Sequence, residues 1–168
     1  FGESRLEPFE AASRATARHD SPIAIALNKA GMPYENHGTP LRVVKGNVFG
    51  TVWHHGHTYK SYWLGKPTSI SHHADLTENE REAFLLQSRK LSAHGSIVFA
   101  VAYSEQATEP SKYSDVRSRI VGLLVFHPIL FPGIEGTVAA MHSAGYKIIY
   151  ASSDQEHDVQ VFAHASCL

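Results

Sequence analysis

The sequence holds one cysteine in 168 residues, Cys167, so no internal disulfide can form, and the usage fits a reducing compartment or a terminus without a role. No stretch approaches the roughly 18 consecutive apolar residues that a membrane-crossing helix needs. Excess charge is lacking too: 15 Lys and Arg stand against 16 Asp and Glu, a net charge of −1. That balance gives no reason to expect nucleic acid or an anionic membrane as partner. There is no signal-peptide pattern, no internal repeat and no low-complexity segment. The chain begins at Phe1 without a methionine, and it reads as an excised or processed piece of something longer.

What is present suffices for a core. With 43% hydrophobic and 18% charged residues, the chain can form one domain, or one domain plus a small appendage. Pro8 pre-organises a first helical turn, which predicts a helix from Pro8 to Arg18. A second helix runs from Pro22 to Ala30, stopped by Gly31 and Pro33. Leu41 to Val44, Val48 to Trp53 and Thr58 to Leu64 read as antiparallel strands, turned at Lys45-Gly46-Asn47 and His55-Gly56. Thr77 and Glu80 form a capping box for a helix from Glu78 to Ala93, closed by Gly95. Ile97 to Tyr103 is a further strand, and polar Gln106 to Arg119 a long loop. The expected domain boundary lies near Arg119.

The richest stretch follows. Ile120 to Phe126 is a continuous apolar run, and His127-Pro128 precedes a helix that closes on Gly145. Tyr146 to Ala151 then reads as a second buried strand, ending at Ser152-Ser153-Asp154. Apolar runs of this kind suit strands covered on both faces, joined by a right-handed crossover. Ile148 to Ala151 is therefore expected to lie parallel to Leu123 to Phe126. An acidic residue at the carboxyl end of such a strand sits where open α/β sheets place ligand chemistry.

These residues resemble the late part of a P-type cation-transporting ATPase. Leu123-Leu124-Val125-Phe126-His127-Pro128, the helix end Ser143-Ala144-Gly145, and Lys147 to Asp154 carry the likeness, with Ser152-Ser153-Asp154 in place of Thr-Gly-Asp. Upstream, His19-Asp20-Ser21-Pro22-Ile23-Ala24 resembles the Ser-x-His-Pro-(Leu/Ile)-Ala segment of heavy-metal pumps. Gly46 to Val52, Gly56, Tyr59 and Leu64-Gly65 resemble the glycine-marked hairpins that follow, and Ala83 to Ala102 the long helix, glycine and strand. The likeness covers Glu7 to Ala165. It implies a mixed α/β (α+β) fold in which residues 1–119 form a nucleotide-binding-like antiparallel sheet flanked by helices. Residues 120–168 would be a partial HAD-like phosphorylation-domain segment, a parallel strand-helix-strand. The implied setting is a cytoplasmic domain of a membrane protein that contacts the other cytoplasmic domains of its parent, without touching the membrane directly.

The resemblance also implies site residues. ATP would meet His19, Ser21, Pro22, Gly46, Gly50, Gly65 and Lys66, and Asp154 would stand on the side of the parent's Mg2+. Gly46 and Gly50 are spaced as Gly-x-x-x-Gly, whereas the family uses Gly-x-Gly for close backbone approach. Leu64-Gly65-Lys66-Pro67-Thr68 stands where related pumps have Lys-Gly-Ala-(Pro/Ser)-Glu, so Lys66 reaches a phosphate only from a shifted position, and a solvated surface lysine is the plainer reading. Asp154 equally caps a following helix from Gln155 to Ala165. The phosphorylated aspartate of Asp-Lys-Thr-Gly-Thr is absent from these residues, as is Gly-Asp-Gly-x-Asn-Asp. Catalysis by the family's mechanism is therefore not expected from this chain.

Two further readings come from the residues alone. His54, His55, His57, His72 and His73 offer imidazoles to a transition metal, but strand geometry sets His54 opposite His55 and His57, and no carboxylate or thiolate lies near these three in sequence. Exposed hairpin histidines account for them better than a histidine-rich metal-binding domain. Trp53, Tyr59, Tyr62 and Trp63 would stack a base or, more simply, pack the sheet. A noncatalytic interaction or regulatory module on the same fold is the alternative to nucleotide binding.

Overall fold

A computed structural model describes residues 8–17, 21–30, 42–44, 48–92, 95–127, 129, 131–151, 159–160 and 163, with backbone alone at 28 and 42–44. Close contacts divide the chain into two units, Phe1–Ser88 with Val98–Leu124, and Arg89–Ile97 with Val125–Leu168.

The first unit is built on a sheet. Strands β1 (Arg42–Val44), β2 (Val48–His55), β3 (Thr58–Gly65), β4 (Ile97–Gln106) and β5 (Arg119–Phe126) lie in that spatial order. The pairs β1/β2, β2/β3 and β3/β4 are antiparallel. Between β2 and β3 the turn is two residues, Gly56-His57, and Gly56 takes the positive φ (64°) that such a tight hairpin favours. Register places Thr51 opposite Tyr62 and Tyr62 opposite Tyr103, while Gly50, Trp63 and Ala102 form the neighbouring row. Because side chains alternate along a strand, the two rows face opposite sides of the sheet.

Helices cover both sides. On the first, α1 (Pro8–Ala15) packs against β2 and β3 and turns buried Ala11, Ala12 and Ala15 inward. Glu10 and the partly buried Arg14, one turn apart, pair at 2.7 Å. The helix stops at Ala15, short of the expected Arg18. Thr16 there turns its hydroxyl back to the carbonyls of Ala12 (3.0 Å) and Ser13 (3.3 Å), the local bonding by which threonine competes with helix continuation. Helix α2 (Pro22–Lys29) follows. On the second side, Val48, Trp63, Ile70, Ala100, Ala102, Tyr113 and Val116 make one core cluster, against which Phe84, Ile120 and Leu123 pack.

Most of the expected elements are present: a mixed α/β chain with an antiparallel sheet flanked by helices. Helix α4 (Glu78–Ser92) begins at Thr77, whose hydroxyl accepts from the Glu80 amide (3.4 Å), while the Glu80 carboxylate accepts from the Thr77 amide (2.8 Å). Three differences stand out. A short helix α3 (Pro67–Ser71) begins directly after Lys66, with Pro67 in its first turn. The expected loop from Gln106 to Arg119 contains a 3-10 turn, Tyr113–Asp115, anchored because buried Tyr113 donates its hydroxyl to the Ile70 carbonyl at 2.8 Å. His57 sits in the hairpin turn, not on a strand face beside His55.

The second unit differs from expectation more sharply. Helix α5 (Ile134–Ser143) closes on Gly145 as expected: Gly145 takes φ 83°, its amide donates to the His142 carbonyl (2.9 Å), and the Tyr146 amide donates to Met141 (3.0 Å). That double bond pattern is a Schellman closure. Residues 146–151, however, form no strand, so the expected parallel partner of Leu123 to Phe126 is not formed. Within α5 the buried residue is Val138, and a parallel strand forms only where the ladder of a neighbouring strand receives it. Elsewhere in this unit, Ser96 Oγ lies 2.9 Å from His127 Nδ1.

Candidate functional site

His19, Gly46 and Asp154 lie outside the described residues. The remaining residues expected at a nucleotide are placed as follows. Ser21 caps α2: its hydroxyl accepts from the Ala24 amide at 3.2 Å and its carbonyl from the Ile25 amide at 3.0 Å. Its hydroxyl oxygen therefore already serves a helix end. Pro22 is the exposed first residue of that helix. Gly65 is buried at the end of β3, opposite Val48 on one side and Ala100 on the other. Lys66 is exposed at the β3-to-α3 junction, and its carbonyl accepts from the Ile70 amide at 3.0 Å.

Gly50 is placed by packing. A Cβ there would stand 2.2 Å from Cε3 and 2.4 Å from Cζ3 of Trp63, so the indole occupies the space that a side chain would take. The glycine permits the close approach of an aromatic ring on the neighbouring strand. On that side, Gly50 offers its backbone to Trp63.

The aromatics are mostly inside. Trp63 is fully buried and Trp53 and Tyr62 nearly so, and Trp53 Nε1 donates to Thr51 Oγ1 at 2.9 Å. Only Tyr59 of the four keeps partial exposure, and it lies against His54 with ring centroids 5.0 Å apart. His54, His55 and His57 are all exposed on the hairpin. Among the described residues, no group of three or more His, Cys, Asp or Glu could hold a metal ion.

A cluster that sequence reading missed lies on the α1 side of the sheet. Arg14 stacks 5.2 Å above the Tyr62 ring and donates to its hydroxyl at 3.2 Å, and the Thr51 hydroxyl donates to the Arg14 carbonyl. Tyr62 lies 5.3 Å from Tyr103, whose hydroxyl donates to Glu105 at 2.7 Å, and Thr58 donates to the other oxygen of Glu105 at 2.7 Å. Those two bonds hold the Glu105 carboxyl below the usual range. Burial pushes the Tyr103 phenol up, and the Glu105 bond adds to the effect. Tyr62 is also raised by burial, with Arg14 acting in the opposite sense. The cluster is held by cation–π and charge-assisted contacts, and it joins α1 to three strands. Its only sequence signal is the Glu10/Arg14 spacing.

No family model matches this chain, and no curated protein matches it.

Proposed function

We propose that the chain is the nucleotide-binding-like domain, with part of the phosphorylation domain, of a divergent P-type cation-transporting ATPase or a pump-like protein that has lost catalysis. One observation supports this above the rest. The hairpin β2–β3, the Gly65-Lys66-Pro67 junction, α4, β4 and β5 follow one another along the chain in the order of the segments that resemble the family, and the strands share one sheet in which β1 to β4 pair antiparallel. ATP would bind weakly, with Ser21-Pro22 and Lys66 as its contacts in the described residues. An exposed lysine adds on the order of 1 kcal/mol to a phosphate. Mg2+ belongs to the parent protein, and Asp154 is proposed on its side. The HAD-like strand-helix-strand is proposed to complete its sheet in the longer polypeptide. Other cytoplasmic domains of that parent are the proposed partners.

A second reading, a noncatalytic interaction or regulatory module, is favoured by Gly50, whose open side is filled by Trp63. Both readings share one expectation, because the sequence lacks Asp-Lys-Thr-Gly-Thr. Incubation with γ-labelled ATP should leave no acid-stable label, with hydrolysis at background. Labelling that disappears in Asp154→Asn would overturn the noncatalytic assignment.

A further inference from the structure

Beyond α3, residues 72–76, Arg81 and residues 114–117 line an open cavity of about 420 Å3, and none of Ser21, Gly50, Gly65 or Lys66 contributes to it. Its two walls are tied through their backbones. The Ser118 amide donates to the His73 carbonyl (3.1 Å), and the Asp75 amide donates to the Ser118 carbonyl (2.8 Å). Tyr113 braces them from within. Its hydroxyl donates to Ile70, lies 2.6 Å from the Ser118 hydroxyl, and its ring meets the edge of His73 at 5.3 Å.

The lining is rich in donors. Arg81 is oriented by two bonds, Nε to the Ser71 carbonyl (3.2 Å) and Nη1 to Glu78 (2.7 Å), which leave further N–H groups of the guanidinium fork for a ligand. Arg117, the two imidazoles and Ser114, whose hydroxyl donates to Asp115 Oδ1 at 3.4 Å, line the same space. Carboxylates are present, but one is engaged. Oδ2 of Asp115 accepts from the Ser111 amide (3.0 Å), the Ser111 hydroxyl (2.6 Å) and the Lys112 amide (3.1 Å), closing its own turn. Asp75 meets Arg117 only loosely, at 3.9 Å, with both side chains more than three-quarters exposed (77% and 89%). An incoming oxyanion can therefore draw Arg117 inward without breaking a buried pair.

We propose that this cleft is a binding site for a small oxyanion, free phosphate or a phosphate monoester, held between Arg81 and Arg117 with the imidazoles as supporting donors. The planar guanidinium matches a phosphate edge, and two of them on one cavity supply both charge and direction.

The test is an amide chemical-shift titration of the whole chain with sodium phosphate, and separately with phenyl phosphate, at constant ionic strength. Saturable shifts at Ala74, Ser114 and Arg117 are expected, and Arg117→Gln should weaken binding by about fivefold. Exposed Arg117 carries no core contact, so the variant's unchanged spectrum elsewhere confirms its fold. Tighter binding of phenyl phosphate would identify a monoester as the ligand, and equal or weaker binding would identify free phosphate. Shifts that grow linearly without saturation, or an affinity unchanged in Arg117→Gln, would overturn the proposal.

Discussion

Gly50 and Tyr113 each decide more than their size suggests. Gly50→Ala would place a methyl group 2.2 Å from a buried indole carbon, so β2 or the ring must shift. Overpacking of that kind costs about 1–3 kcal/mol. Urea unfolding should show that loss, and the same substitution should cost less in a Trp63→Leu background, where the ring is gone. Tyr113 sets the alkaline limit. Burial raises its phenol from 10.0 to about 12, partly offset by the Ser118 hydroxyl. A raised folded value means that the unfolded chain loses its proton first. The stabilisation is complete below pH 10 and is lost as pH rises toward about 12. Tyr62 and Tyr103, raised in the same direction, add to that fall. Stability measured against pH should drop more gently over this window in Tyr113→Phe, although that variant begins lower, by about 1–2 kcal/mol, for the hydrogen bonds removed. Neither role was legible in the sequence. Gly50 read as a nucleotide contact because a glycine shows freedom of approach without showing what approaches. Tyr113 sat in a segment whose polar residues and Pro110 read as loop.

Elements were legible where local chemistry specifies them. Alternating residues and a two-residue turn mark β2 and β3, and Thr77 with Glu80 marks the start of α4, since each depends on neighbours a few residues away. Thr77→Ala should lower stability by about 1 kcal/mol and fray the first turn of α4, visible as faster amide exchange at Glu78 to Arg81. The Thr77 bonds also hold the Glu80 carboxyl below its usual range, so the cap weakens as acid protonates it. The segment 146–151 forms no strand in this chain for the opposite reason. Its apolar run has strand composition, but a parallel strand exists only when a neighbour's ladder receives it, and composition carries no information about that neighbour. Helix α3 shows the same limit, because five residues leave too short a pattern to separate from a turn.

At the scale of the molecule, an antiparallel sheet flanked by helices was legible, and the candidate site was legible only in part. Ser21-Pro22 and Lys66 lie at a helix start and a strand end, positions that sequence punctuation predicts. The Arg14–Tyr62–Tyr103–Glu105 cluster depends on pairing across three strands and one helix, which spacing alone does not reveal. Amide chemical-shift titration with ATP, ADP and AMP tests the proposed nucleotide binding. Saturable shifts near Ser21 and Lys66 are predicted, with dissociation constants of about 1 mM that agree within about tenfold among the three, because adenine packing outweighs one exposed lysine. An absence of saturable shifts near those residues at several-fold that concentration of ATP would rule out nucleotide binding there and leave the interaction module in its place.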